Sequence, residues 1–230
     1  MPFYYGIDYL YLILVLPAII LSLIASASVK STFSKYSDFS TIYSGADAAR
    51  KVLETNGVFN VRVERVSGHL TAHFDPKTNV IRLSDSVYDS YSISAVGVAA
   101  HEAGHAVQHA KGYSPIKIRT AIYPICNLGS QLSIPLLLIG LIFNLSYLTT
   151  LGIIFFAVAL AFQLVTLPVE FNASARALKA VKDYGILTDE TQVKGAKKVL
   201  TAAAMTYIAS FLVSLGQLLR LLIISNNRRR

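Results

Sequence analysis

The chain has 230 residues, 53% of them hydrophobic and only 15% charged, with a formal net charge of +8. That balance is too apolar for an ordinary soluble domain. The basic residues flank apolar runs rather than interleave with aromatics, which argues against a nucleic-acid partner. The one cysteine, Cys126, allows no intrachain disulfide and reads as a small buried hydrophobe.

The first apolar run, Tyr9 to about Ser28, is long enough to cross a bilayer. The stretch before it has no Lys or Arg, so residues 1–29 read as an uncleaved anchor, kinked at Pro17. Residues 30–120 are polar enough for an extramembrane domain. Tyr43 to Asn56 reads as a helix ended by Gly57. Val58 to Val66 alternates as a half-buried strand does, and Gly68 to Phe74 extends it or starts another. Asp75 to Asn79 has turn chemistry, and Val80 to Ser84 is a further short strand. These strands are expected to form a small antiparallel sheet. Ser84 or Ser86 caps a helix through Tyr88 and Tyr91, which either runs on into Ser94 to Ala110 or breaks near Ser92 to Ser94.

Residues 121–169 hold two more apolar spans, Ala121 to Phe143 and Tyr147 to Val169, joined by only Asn144-Leu145-Ser146. Residues 170–200 are again polar, with a break near Gly185 and Thr188. Residues 201–230 form a fourth span ending in Arg228-Arg229-Arg230. The fold expected is a mostly α, multi-pass membrane protein with about four transmembrane helices and a small α+β extramembrane domain, which the H-E-x-x-H motif at residues 101–105 marks as a zincin-like catalytic domain. Four spans put 17 of the 21 Lys and Arg on the side of residues 30–119 and 170–200, which favours a cytoplasmic catalytic side; the terminal arginines count against it.

The chemistry is concentrated in His101-Glu102-Ala103-Gly104-His105. On a helix, residues four apart share a face, so His101 and His105 can hold one zinc ion between them. Glu102 sits beside the metal as the candidate general base. Gly97, Ala100 and Gly104 are small and let another backbone approach. Catalytic zinc usually takes three protein ligands. Gln108 and Lys111 stand where a metzincin needs Gly and His, so that class is excluded. His109 lies about 12 Å along the helix from His101, too far to share an ion. The third ligand should come from far away in sequence. Glu170 stands out, at the end of an apolar span where a carboxylate is costly without a partner, with small Ala173, Ser174 and Ala177 on its face. Asp183, Asp189 and Glu190 are alternatives in weaker settings.

Three segments are familiar together: Leu70-Thr71-Ala72-His73-Phe74-Asp75-Pro76, Val98 to Gln108, and Leu167-Pro168-Val169-Glu170-Phe171-Asn172-Ala173-Ser174. With them the chain resembles, over essentially its whole length, the bacterial membrane zinc metallopeptidases of the YugP type, a gluzincin-like family. The resemblance implies zinc as cofactor and Glu170 as third ligand. Gluzincins often carry Asp four residues beyond that Glu, where this chain has Ser174. The resemblance also implies Asp before the His of the Asp-Pro segment, where this chain has Ala72.

The function expected is a membrane-embedded zinc endopeptidase acting on peptides or proteins near the bilayer surface. Asn172, Ser174, His73 and Arg176 are candidates to support the metal or the transition state, with Tyr88 a further possible donor. Hydrogen bonding to Asp75 is the structural alternative for His73, and a salt bridge or lipid contact for Arg176. Two other readings compete. One is an intramembrane zinc protease, disfavoured by the polar region before the motif and the lack of a buried Asp in the later spans. The other is a non-catalytic zinc-binding scaffold, disfavoured by the intact Glu102.

Overall fold

A computed structural model describes residues 8–229, with the side chains of residues 227–230 outside the description. The stretch before Asp8, used above for the anchor reading, and the side chains of the terminal arginines, used for orientation, therefore lie outside the described residues.

The first helical segment opens with a π turn, Tyr11–Val15, and continues as α1, Leu16–Ser37. The wide turn sits just before Pro17, which has no N–H to give to the carbonyl of Ile13. The chain then forms α2 (Gly45–Thr55), β1 (Arg62–Val66), β2 (His73–Asp75), β3 (Val80–Ser84), α3 (Asp85–Tyr88) and α4 (Ile93–Ala110). The remainder is helical: α5 (Ser114–Ile142), α6 (Ser146–Asp183) and α7 (Glu190–Arg229). Four helical segments are long and apolar enough to cross a membrane: Tyr11–Ser37, Ser114–Ile142, Ser146–Asp183 and Glu190–Asn226. The helix carrying His101 and His105 is not among them.

The described chain divides into two compact units. One comprises residues up to Ala25, Arg119–Val165 and residues from Thr206 onward. Its α5–α6 hairpin turns through Asn144 at φ 55°, where Leu145 N–H caps the Gly140 carbonyl at 2.8 Å. Gly140 and Gly152 keep the two helices close. A Cβ at Gly140 would fall 2.5 Å from the Thr149 backbone nitrogen, and one at Gly152 would fall 2.9 Å from that of Leu137. Many large apolar side chains of this unit, such as Ile125, Leu138 and Ile154, face outward, as a lipid environment favours.

The other unit comprises Ser26–Ile118 and Thr166–Met205. Its centre is α4, started by the Ser92 hydroxyl accepting from Ala95 N–H at 3.2 Å. That cap separates α4 from α3, resolving the alternatives left at Ser92 to Ser94 in favour of a break. Small residues let α4 be buried on nearly every face, against Val52 and Leu53 of α2, Ile81 and Leu83 of β3, Ala177 and Val181 of α6, and Ala196 and Val199 of α7.

The sheet differs from the antiparallel one expected. Its order is β1-β3-β2, with β1 parallel to β3 and only β2 antiparallel to it. The three-residue β2 makes the reversal, because the Asp75 carboxylate organises the next turn by accepting from Lys77 N–H and the Thr78 hydroxyl. The link from β1 to β2 then turns through Gly68 and Leu70, both at positive φ, so β1 docks on the free side of β3. The strand read over Val58 to Val66 begins only at Arg62. A second difference concerns α6: the span expected to end at Val169 runs on unbroken through Pro168 to Asp183, so Glu170 lies in mid-helix.

Gly104 and Gly97 give the packing of α4 a direct test. A Cβ on Gly104 would meet the Ala173 carbonyl oxygen of α6 at 2.7 Å, whereas one on Gly97 would meet the Ala196 Cβ of α7 at an ordinary 3.5 Å. Gly104→Ala is expected to cost about 1–3 kcal/mol, since backbone must part from backbone. Gly97→Ala is expected to be neutral or to stabilise by up to ~1 kcal/mol through helix propensity. Thermal unfolding of the two detergent-solubilised variants checks the contrast; equal melting temperatures would refute it.

Candidate metal centre

Successive turns of α4 project His101 and His105 on one face, and α6 brings Glu170 against them. Their Nε2 atoms lie 3.1 Å apart, and Glu170 Oε2 is 3.2 Å from the first and 3.4 Å from the second. The three side chains offer ligand atoms that all lie within 4.8 Å of one another. Tetrahedral zinc with bonds of about 2.0–2.1 Å sets ligand atoms roughly 3.3 Å apart, so the spacing fits. Three electron-pair donors facing one another require a cation or a proton at their centre.

The remaining ring nitrogens are already engaged. His105 Nδ1 lies 3.1 Å from Gln108 Oε1, and His101 Nδ1 lies 3.1 Å from the Ser174 hydroxyl. The Gln108 amide orientation is set by its own NH2, which donates to the Val169 carbonyl at 2.8 Å and to Asn172 Oδ1 at 3.0 Å. Gln108 Oε1 must therefore accept from His105 Nδ1–H, leaving the Nε2 lone pair for a metal. Burial opposes charge on His105, but its bond to Glu170 and the charges of Glu102 and Glu170 raise its pKa above the usual histidine value. The carboxylates that favour a proton there favour a cation too.

Comparison with known proteins agrees with this donor set. A family profile described as "Putative neutral zinc metallopeptidase" matches residues 11–226. The chain belongs to that zinc metallopeptidase family. It is also 46% identical over 222 residues to a Bacillus subtilis (strain 168) protein named "Putative membrane protease YugP", covering 96% of this chain and 98% of that one. No solved structure matches. The family implies zinc, and the spacing and chemistry of His101, His105 and Glu170 fit it.

For this member of the family, the other candidates fall into two groups. Ser174 touches a ligand, His101, and Asn172 stands one hydrogen bond further out, against Gln108. The Ser174 hydroxyl lies on the Nδ1 side of His101, at the position four residues after Glu170 where the resemblance led to an Asp. Asn172 Oδ1 accepts from both Gln108 and Arg176 Nε, the latter at 2.7 Å. Arg176 also lies over the Tyr113 ring, 5.8 Å from its centroid, so it braces Asn172 where a salt bridge or lipid contact was expected. Glu102 is buried on α4 beside His105. His73 is exposed on β2, and its Nδ1 lies 2.9 Å from the Thr71 carbonyl, so its hydrogen bond goes there and not to Asp75, the structural alternative above. The Tyr88 hydroxyl accepts from Arg50. His109 is exposed near Phe74 and offers no ligand atom to the cluster. The residue the sequence reading passed over is Gln108, cited there only to exclude metzincins. Its place three residues after His105, on the same helix face, was the available signal.

Gln108 is fully buried. Gln108→Ala removes three hydrogen bonds and leaves the Val169 carbonyl unpaired by it. Zinc affinity, measured by competition with a chelating dye, is expected to fall about 10–100-fold. Unchanged affinity would show that His105 is held by its packing alone.

Proposed function

We propose that the protein is a membrane-embedded zinc-dependent endopeptidase, with His101, His105 and Glu170 holding the metal and Glu102 acting as general base. The observation that carries the reading is the convergence of His101 Nε2, His105 Nε2 and Glu170 Oε2 at 3.1–3.4 Å, with a buried glutamate adjacent to the first histidine. Zinc bound there supplies Lewis acidity, polarising a water and the scissile carbonyl. Glu102 accepts the proton of the attacking water and returns it to the leaving amine. Gln108 keeps His105 in the tautomer that presents Nε2, and the Ser174 hydroxyl accepts from His101 Nδ1–H when that ring presents Nε2. The edge strand β2 offers unpaired backbone groups to an extended peptide, a recognition mode with little sequence preference.

The substrate is a peptide or protein segment near the bilayer surface, on the side for which the lysine and arginine distribution favours the cytoplasm. An intramembrane protease is less well supported, because α4 is not among the helices apolar enough to span. The test is hydrolysis of unstructured peptides and membrane-tethered fusions by purified full-length protein. Cleavage is expected to stop with a chelator and return with stoichiometric zinc. Cleavage that persists after complete zinc removal would refute the proposal.

A further inference from the structure

α1 and α7 run antiparallel where they meet in the second unit. Tyr36 packs on Gly195, whose added Cβ would fall 2.8 Å from the ring, and the Gln192 side chain reaches the Ser40 carbonyl at 3.4 Å. Between these helices lies a groove of 620 Å³ lined by Lys35, Lys194, Lys197 and Lys198. Tyr36 forms part of its wall, with the Lys35 ammonium 5.9 Å from its ring centroid. Only Lys194 has an acidic partner, Glu190 at 3.4 Å. Among the described residues no carboxylate forms an ion pair with Lys35, Lys197 or Lys198.

The groove is graded along its length. Its lysines lie toward the outer end of α1 and the start of α7. Its other end is lined by Ser28, Ala202 and Met205. Lys194 and Met205 are eleven residues apart on one helix, about 16 Å along its axis. That gradient points from the polar ends of both helices toward the apolar runs they carry. A free anion would use only the basic end, whereas a phospholipid needs both a cationic place for its phosphate and an apolar exit for its acyl chains.

We propose that this groove binds the phosphate headgroup of an anionic phospholipid, with the acyl chains leaving past Ala202 and Met205. The proposal rests on α1 and α7 being membrane spans and is independent of the peptidase reading. Lys35, Lys197 and Lys198 supply the unpaired positive charge, and Lys194 shares its charge with Glu190. Nothing in the zinc cluster participates.

The test uses the full chain in neutral detergent, titrated with dioleoyl phosphatidylglycerol, dioleoyl phosphatidylcholine or inorganic phosphate, with bound lipid counted by native mass spectrometry and thermal stability followed in parallel. Phosphatidylglycerol is expected to bind at least about tenfold more tightly than phosphatidylcholine. The variant Lys35→Gln/Lys197→Gln/Lys198→Gln is expected to lose that preference. A control, Lys51→Gln/Lys77→Gln/Lys179→Gln, removes the same charge elsewhere and is expected to keep it. Equal binding of the two lipids, or a preference retained in the groove variant, overturns the proposal. Stabilisation by inorganic phosphate equal to that by phosphatidylglycerol assigns the basic end to a free anion and also overturns it. A chain that stays monodisperse without detergent would instead overturn the membrane reading on which it rests.

Discussion

Glu102→Gln is expected to lower the rate of peptide hydrolysis by about 10²–10⁴-fold while leaving one zinc per chain. The glutamine keeps the volume of the buried side chain but cannot accept a proton, and general-base catalysis is worth roughly 10²–10⁴-fold. Because Glu102 is not one of the three converging ligands, metal content and melting temperature should stay close to wild type. Parallel kinetics, zinc analysis and thermal unfolding separate this outcome from a folding defect. Retained hydrolysis at the wild-type rate would remove Glu102 from the mechanism. Zinc binding without hydrolysis in wild type and variant alike would instead favour the scaffold reading.

The second large effect is expected at Glu170. Its side chain is 3% exposed and faces both imidazoles. Glu170→Ala removes one of three ligands and leaves the buried His105 and the partly buried His101 without the carboxylate between them. Loss of a group that only orients a ligand costs about 10–100-fold in metal affinity, so loss of the ligand itself should exceed about 100-fold. Glu170→Gln separates charge from volume: it fills the same space with a weaker donor and should fall between wild type and Glu170→Ala. Both are measured by zinc competition with a chelating dye. An alanine variant that binds zinc as tightly as wild type would exclude Glu170 as a ligand.

The local elements of this protein could be read because each follows from a short-range rule. Val80–Ser84 matches the expected strand at both ends, and Ser92 starts α4 through its side chain as a serine before an apolar run does. His101 and His105 were legible because helical spacing alone puts them on one face. Glu170 was legible by the cost of its setting at the end of an apolar run. What local pattern does not encode is strand direction. β1 alternates as well beside a parallel neighbour as beside an antiparallel one, and Gly68 and Leu70 decided the path of the link. Nor does Pro168 end its helix, because a helix in an apolar setting gains more by keeping its other backbone hydrogen bonds than it loses at one proline. Gln108 was hidden for another reason. Its partners His105, Val169 and Asn172 come from two helices, and its role exists only once α4 and α6 have packed.

The tightness of that packing links fold to chemistry. Gly104 lets the Ala173 backbone approach α4, one turn beyond Glu170 on α6, and so sets how closely the carboxylate meets the imidazoles. The contrast between Gly104→Ala and Gly97→Ala therefore bears on metal binding as well as on stability.

The central claim is the ligand set, and X-ray absorption at the zinc edge of the metal-loaded full-length protein tests it most directly. The account predicts two imidazole nitrogens and at least one oxygen at about 2.0–2.1 Å, with an oxygen contribution lost or altered in Glu170→Ala. A first coordination sphere without two imidazoles, or one unchanged in Glu170→Ala, would contradict it.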